Sequence, residues 1–344
     1  MAHLKKKNRV QIIAEVGTNH NGSLQLAKRI VNKLSKTDID YIKFQFANPE
    51  LVYSDDSFKA EYQLKNDKKR SVKSMSKKLQ LKAKEHIELA KYCKKKGKQY
   101  ACTAFDVESL KFLLKKINLP FIKIPSGEII SIDLLKLISK QSKPIVLSTG
   151  MATFKEIKDC LKIINKRRKK VTIMHCTSSY PAKNEQLNIN VIDILKEKFR
   201  LPVGYSDHSR SDEASLAAVS KGALLIEKHV TLNKNFAGPD HKMSYSINEF
   251  KRLVKKIRTT EVVIGTRKKV FSKNEINVKK MARKSIVTKK NITKGEIISL
   301  KNICFKRPGT GISPMNFRSV VGKKAKVNLD RNKVIKKTQI WRTN

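Results

Sequence analysis

The sequence predicts an α/β protein: a closed (β/α)8 barrel of the TIM type followed by a small, mostly-β domain. Three observations carry this expectation. Short β-branched runs alternate with amphipathic helical stretches eight times before Gly265 in a chain of 344 residues. The polar residues of that region gather at or just past the C-terminal ends of the strand-like runs. Near Gly265 the alternation stops, and short runs punctuated by Gly295, Pro308, Gly309, Gly311, Pro314 and Gly322 take over.

Taken in order, the strands are read over 10–16, 41–45, 99–104, 121–124, 144–148, 171–176, 202–205 and 224–229, each a short apolar or β-branched block. The helices are read over 24–34, 85–96, 109–116, 134–139, 155–165, 191–198, 213–220 and 248–264. A long insertion between the second strand and its helix, 46–84, reads as irregular. Right-handed crossovers let each helix pack outside the next parallel strand, which suits a barrel, with an open doubly wound sheet as the alternative. Polar placement decides between them. Glu15, Lys43, Gln45, Thr103, Lys123, Ser126, Ser148, Ser206, His208, Glu227 and His229 all fall at strand C-termini, which in a barrel converge on one mouth. Residues 1–265 are assigned to the barrel, 266–283 to a charged linker and 284–344 to the second domain.

Composition narrows the functional classes. With 40% hydrophobic residues the chain can bury a core despite a formal charge of +47. No apolar run approaches the roughly 18 to 20 residues of a membrane span, and the basic start, 1–9, leads into a strand rather than a signal-peptide core, so a cytoplasmic protein is expected. The five cysteines (Cys93, Cys102, Cys160, Cys176, Cys304) are scattered and lack a CxxC pair, which supports neither a disulfide framework nor a zinc cluster. Lysine spread over every helix surface, with few aromatics, favours compositional bias over a nucleic-acid surface. The last 61 residues hold 16 basic and 2 acidic side chains, a density suited to a lid over an anionic pocket.

His208 and His229 end consecutive strands, and two imidazoles side by side suit a first-row divalent ion with open positions. Lys43 and Lys123 end two other strands, where a buried ammonium is costly unless paired; an anion clamp or a Schiff-base lysine would explain them. Ser126 with Gly127, and Ser148 with Thr149 and Gly150, add hydroxyls and open backbone N–H groups, completing the description of a phosphate or carboxylate pocket. Glu15, Glu128, Glu227 and Asp240 balance these cations and can orient a sugar hydroxyl or shuttle protons. Asn21 and Gly22 read as a turn.

The motifs resemble the sialic acid synthase family: IIAEVGTNHNG (12–22), KFQ (43–45), KAEYQ (59–63), IKIPSGE (122–128), LSTGM (147–151), HCTSSYPA (175–182), GYSDH (204–208), EKHVTL (227–232), GPDHK (238–242) and KRPGTGISP (306–314). They run in order along nearly the whole chain. The resemblance implies a barrel followed by an antifreeze-like (SAF) domain. It also implies condensation of phosphoenolpyruvate with the open-chain aldehyde of an N-acetylated amino sugar, releasing phosphate. N-acetylmannosamine giving N-acetylneuraminate is the expected reaction; the alternative acceptor is 2,4-diacetamido-2,4,6-trideoxymannose, giving legionaminic acid. Carried over motif by motif, His208 and His229 would hold Mn2+ or Mg2+. Lys43, Thr103, Lys123, Ser126, Ser148 and Ser206 would bind phosphoenolpyruvate, and Glu15, Gln45, Phe105, Glu128, Tyr180, Glu227 and Asp240 would line the rest. Glu15, Glu128 and Glu227, with the two histidines, are the catalytic candidates. Arg307 would reach from the second domain into the other subunit's barrel, making a homodimer part of the site. Ser178 stands where some relatives carry Asn near phosphoenolpyruvate, and Ala104 replaces a common Pro. The insertion is the least family-like part.

Two competing readings predict different behaviour. A class I aldolase using Lys43 or Lys123 would be trapped by borohydride and need no metal. Nucleic-acid binding through the basic C-terminal domain would be tight and fall steeply with salt.

Overall fold

The structure is a computed structural model that describes residues 9–66, 71–164 and 171–341. The chain divides into two compact units, Met1–Gly265 and Thr266–Asn344. In the first, eight parallel strands close a barrel: β1 Gln11–Gly17, β2 Tyr41–Phe46, β3 Gln99–Ala104, β4 Ile122–Ile124, β5 Ile145–Ser148, β6 Val171–Cys176, β7 Val203–Asp207 and β8 Leu225–Thr231. They pair in sequence order, and β8 returns to β1 from Gln11↔Leu225 to Glu15↔His229. The open doubly wound sheet is thereby excluded. A two-residue strand, β9 Tyr245–Ser246, extends the end of β8.

Every strand then meets two faces. Its outward residues pack under the helices α1 Leu24–Leu34, α5 Ala83–Lys95, α6 Val107–Lys116, α7 Ile132–Ser139, α8 Phe154–Ile163, α9 Val191–Phe199, α10 Asp212–Ser220 and α11 Ile247–Ile264. Ile12, Ile42, Cys102, Leu147, Ile173 and Ile226 belong to that outer core. The inward residues form a separate apolar floor of Ile13, Tyr41, Ala101, Phe121, Val146, Met174 and Leu225. Burial on both faces explains why the strands read as near-continuous apolar runs. Side-chain caps start the helices: Ser23 accepts from Leu26 N, Asp106 from Ser109 N, and Thr153 and Ser246 form capping boxes with Glu156 and Glu249.

Two stretches depart from the sequence expectation. The insertion read as irregular contains three short helices, α2 Pro49–Val52, α3 Glu61–Asn66 and α4 Val72–Leu79. In α4 the apolar Val72, Met75 and Leu79 are buried on one face while its lysines stay at the surface, and so many lysines hide the periodicity. The stretch read as a linker contains α12 Lys273–Ala282, started by a Ser272/Glu275 capping box and with no buried residue.

The second unit is small and mostly irregular, built around the antiparallel pair β10 Ser285–Thr288 and β11 Ile303–Lys306. Its core is dominated by isoleucines, among them Ile286, Ile292, Ile298, Ile303 and Ile335. Among the described residues, no helix is long and apolar enough to cross a membrane.

The outer face of β7 and β8 also buries charge. Lys228 lies between Glu227 and His229 but points the other way, and its Nζ stands 2.8 Å from Asp207 Oδ2. It donates to the Ser209 carbonyl at 2.7 Å, while Asp207 accepts from Ser209 N at 2.8 Å, Ser209 Oγ at 2.7 Å and Ser215 Oγ at 2.6 Å. Both ions are thus fully partnered, a condition on which buried pairs depend. Lys228→Met strands the Asp207 charge and is expected to lower unfolding free energy by about 3 to 5 kcal/mol, with the Asp207→Asn/Lys228→Met double variant losing less. Denaturant unfolding of the three proteins measures this; equal losses in single and double variants would show that the charge is not the cause.

Candidate active site

Two residues beyond each floor residue, every strand presents a second inward side chain. These are Glu15, Lys43, Thr103, Lys123, Ser148, Cys176, Ser206 and Glu227, one from each of the eight strands. On β7 the floor position is Gly204, where a Cβ would lie 2.7 Å from the Leu225 carbonyl oxygen. The pleat therefore stacks a polar ring on an apolar floor. Register sets the neighbours: Glu15 is opposite Lys43, Thr103 opposite Lys123, and Ser206 opposite Glu227.

Charges in the ring are paired at short range. Lys43 Nζ lies 2.8 Å from Glu15 Oε2 and 3.6 Å from Glu227 Oε2, and it donates to Thr103 Oγ1 at 3.0 Å. Lys123 Nζ lies 3.1 Å from the same Glu227 oxygen, whose partner oxygen accepts from Ser206 Oγ at 3.0 Å. Gln45 Nε2 donates to Glu15 Oε1 at 2.9 Å. Burial alone would hold Glu227 neutral, but Lys123 and Lys43 overcome it and keep the carboxyl down at about 2. Glu15 has weaker support: burial dominates, Lys43 opposes it and Glu227 adds repulsion, so its carboxyl is pushed up to about 7. Burial opposes the charge on Lys43, yet Glu15 and Glu227 raise its ammonium above the ordinary value; burial and the Lys43 charge lower Lys123.

This ring floors a cavity of about 790 Å3 at the C-terminal mouth of the barrel. Phe105, Ser126, Ser178, Tyr180, His208 and His229 also line it. Ser126 Oγ accepts from Gly150 N at 3.0 Å, and at Gly150 a Cβ would come within 2.2 Å of Ser178 Oγ, so the backbone approaches the cavity as only glycine allows.

The two imidazoles meet at this mouth, ring centroids 5.5 Å apart, with the Tyr180 ring 4.3 Å from His208. His208 Nδ1 donates to the Thr177 carbonyl at 2.8 Å, so that in the neutral ring, the form that binds a metal, the lone pair lies on Nε2. His229 Nδ1 is buried with no hydrogen-bond partner. An orphaned nitrogen beside an oriented imidazole fits a divalent cation that completes its shell with ligand oxygens. Among the described residues, no group of three or more His, Cys, Asp or Glu is assembled for a metal, so the histidines would be the protein's donors.

Two predicted residues of the barrel line other surroundings, and a third belongs to the second unit. Asp240 is buried on an adjoining cavity of about 230 Å3, which Gln45, Phe105, Tyr180 and His229 share; burial pushes its carboxyl up to about 6. Glu128 ends a 3-10 turn past β4, lines neither cavity and accepts from the Ser131 hydroxyl. Arg307 is exposed in the second unit, just after β11.

Cys176 went unrecognised in the sequence, although it stands two residues beyond Met174 and so belongs to the ring by the same period. Its Sγ is 3.7 Å from His208 Nδ1 and 3.8 Å from Ser126 Oγ. Burial raises its thiol, but His208 and Lys123 more than offset this, and the net shift is downward.

Comparison with known proteins gives matches over both units. The NeuB family model matches residues 30–269 and the SAF domain model residues 283–340. The N,N'-diacetyllegionaminic acid synthase of Campylobacter jejuni is 44% identical over 94% of this chain and 98% of its own. That of Legionella pneumophila is 36% identical over 92% and 91%. Among solved structures, the N-acetylneuraminic acid synthetase of Leptospira borgpetersenii, crystallised with citrate, superposes with a TM-score of 0.71 at 32% identity, covering 79% of this chain and 90% of its own.

The imidazole pair yields a direct expectation. His208→Ala or His229→Ala should weaken Mn2+ binding at least about tenfold, read by electron paramagnetic resonance titration, with the unfolding midpoint unchanged. Undiminished Mn2+ binding in both variants would remove the histidines from the metal site.

Proposed function

The chain belongs to the NeuB family, and on that premise we propose that it condenses phosphoenolpyruvate with 2,4-diacetamido-2,4,6-trideoxymannose and water, giving N,N'-diacetyllegionaminic acid and phosphate. It is a phosphoenolpyruvate-dependent nonulosonic acid synthase, a transferase that forms a C–C bond. The choice of acceptor rests on similarity: two legionaminic acid synthases are more similar in sequence to this chain than the N-acetylneuraminic acid synthetase is. That favours the diacetamido sugar over N-acetylmannosamine, the first expectation from the motifs.

The observation that carries the chemistry is the pair of buried lysines held in the ring by Glu15 and Glu227. An ammonium raised in pKa by two carboxylates, as Lys43 is, acts as a fixed cation rather than as a Schiff-base nucleophile. Lys43 and Lys123 neutralise the phosphate and carboxylate of phosphoenolpyruvate, and Thr103, Ser126 and Ser148 donate to its oxygens, while the Ser206 hydroxyl, which donates to Glu227, borders the same oxygens. Carbon 3 of the enol forms the new bond to the aldehyde carbon, whose oxygen takes a proton. Water adds at carbon 2, and the bond from carbon 2 to the phosphate oxygen breaks, releasing inorganic phosphate without any change of redox state. Glu15, close to neutrality, is suited to exchange a proton with the aldehyde oxygen or the attacking water. A divalent cation on His208 and His229 supplies Lewis-acid polarisation of the aldehyde when bound.

Incubation with phosphoenolpyruvate and each sugar, followed by mass spectrometry and initial rates, tests the acceptor. The diacetamido sugar should give the higher kcat/KM; a higher value for N-acetylmannosamine would overturn this reading. Lys123→Met should lower kcat/KM for phosphoenolpyruvate about 10- to 100-fold, the equivalent of a charge-assisted contact of about 1.5 to 3 kcal/mol, with a smaller effect on the KM for the sugar. An unchanged KM for phosphoenolpyruvate would remove Lys123 from its site.

A further inference from the structure

The two adjoining cavities differ in charge. The larger holds Lys43, Lys123 and Lys183 among its lining residues. Among the described residues that line the smaller one, none is Lys or Arg, in a chain where those types number 76. Asp240 supplies the carboxyl among those described residues. An anionic group placed there would meet the Asp240 carboxyl and, among the described lining residues, no lysine or arginine.

The wall opposite the barrel comes from the insertion. Val52 ends α2, Tyr53 follows it, and Met75 and Leu79 lie one turn apart on the buried face of α4, against Tyr53. A hydroxyl or phosphate pressed on Val52, Met75 and Leu79 would lose its water without gaining a partner, whereas a methyl group would gain contact. The polar groups point to an amide ligand. Gln80 Oε1 accepts from Ala47 N at 3.0 Å, so its NH2 remains as a donor for a carbonyl oxygen. Gln45 Nε2 is engaged by Glu15, so its carbonyl oxygen remains as an acceptor for N–H or O–H.

We infer that this cavity is the specificity pocket for the end of the acceptor remote from its aldehyde, where Val52, Tyr53, Met75 and Leu79 select an uncharged sugar ending in methyl and bearing an acetamido group. The inference rests on the synthase reading above. His229, Gln45 and Tyr180 border both cavities, so a sugar spanning them puts its aldehyde beside the ring and its remote carbons against the insertion. The same wall rejects a sugar phosphate.

The test uses the full chain with Mn2+ and saturating phosphoenolpyruvate. Its acceptors are 2,4-diacetamido-2,4,6-trideoxymannose, N-acetylmannosamine and N-acetylmannosamine 6-phosphate. Met75→Gln and the isosteric Val52→Thr each put a polar group on the wall. Val52 is only half-buried, so its variant keeps the test open if Met75→Gln disturbs α4. Each variant should lower kcat/KM for the diacetamido sugar about tenfold relative to N-acetylmannosamine, with the KM for phosphoenolpyruvate unmoved. The wild type should not use the 6-phosphate. A wild-type acceptor ratio retained in both variants, equal losses with both neutral sugars, or efficient use of the 6-phosphate overturns the inference while leaving the synthase reading standing. A wild type that prefers N-acetylmannosamine defeats the acceptor reading itself, and the inference with it.

Discussion

The two-residue pleat of eight parallel strands in matched register is the constraint on which this molecule depends. Because successive side chains point to opposite faces, Ile13, Tyr41, Phe121 and Leu225 on the floor oblige Glu15, Lys43, Lys123 and Glu227 to point inward one step higher. A shift of one residue in any strand would send its ring residue into the apolar layer under the helices. The floor and the ring therefore specify each other.

That arrangement buries four ionisable groups that none of the strands could bury alone. Lys43 and Lys123 are tolerable because Glu15 and Glu227 stand within salt-bridge distance, and Glu227 stays ionised because two ammonium groups face it. Asymmetry in the ring has a chemical use. Glu227 serves two cations and is held firmly charged, whereas Glu15, opposed mainly by Lys43, sits near neutrality and can take up a proton when an anion arrives. On the outer face the same pleat sends Lys228 to Asp207. The two strands that carry the imidazoles are thus tied together from behind by a second buried pair.

The barrel and the insertion divide the remaining work by polarity. Strand ends supply cations, hydroxyls and imidazoles to the larger cavity, and α2 and α4 supply an apolar wall to the smaller one. Substrate groups with different charge can then be sorted by position in one mouth. Such a division lets an acceptor pocket vary with the insertion while the ring stays under the constraint of strand register.

Much of this was written in the sequence because the barrel has a local signature. Eight apolar blocks at regular intervals, each ending in a polar residue, are enough to predict the strands, their closure and the identity of most ring residues. Motifs such as GYSDH and EKHVTL carried the resemblance that the family match bears out. Period-two counting from Met174 would also have found Cys176. What the sequence left undetermined depends on distances between residues far apart in the chain. The pairing of Lys123 with Glu227 spans 104 positions and exists only because β4 and β8 face each other across a closed ring. Likewise, the turn that leads Glu128 to Ser131, the helices concealed by lysines in the insertion, and the separation of a lysine-lined cavity from one whose described lining holds no lysine or arginine follow from packing in three dimensions. Residue types and their spacing determined which groups would be available; tertiary closure decided which of them meet, because burial and Coulomb energy depend on separation in space and not along the chain.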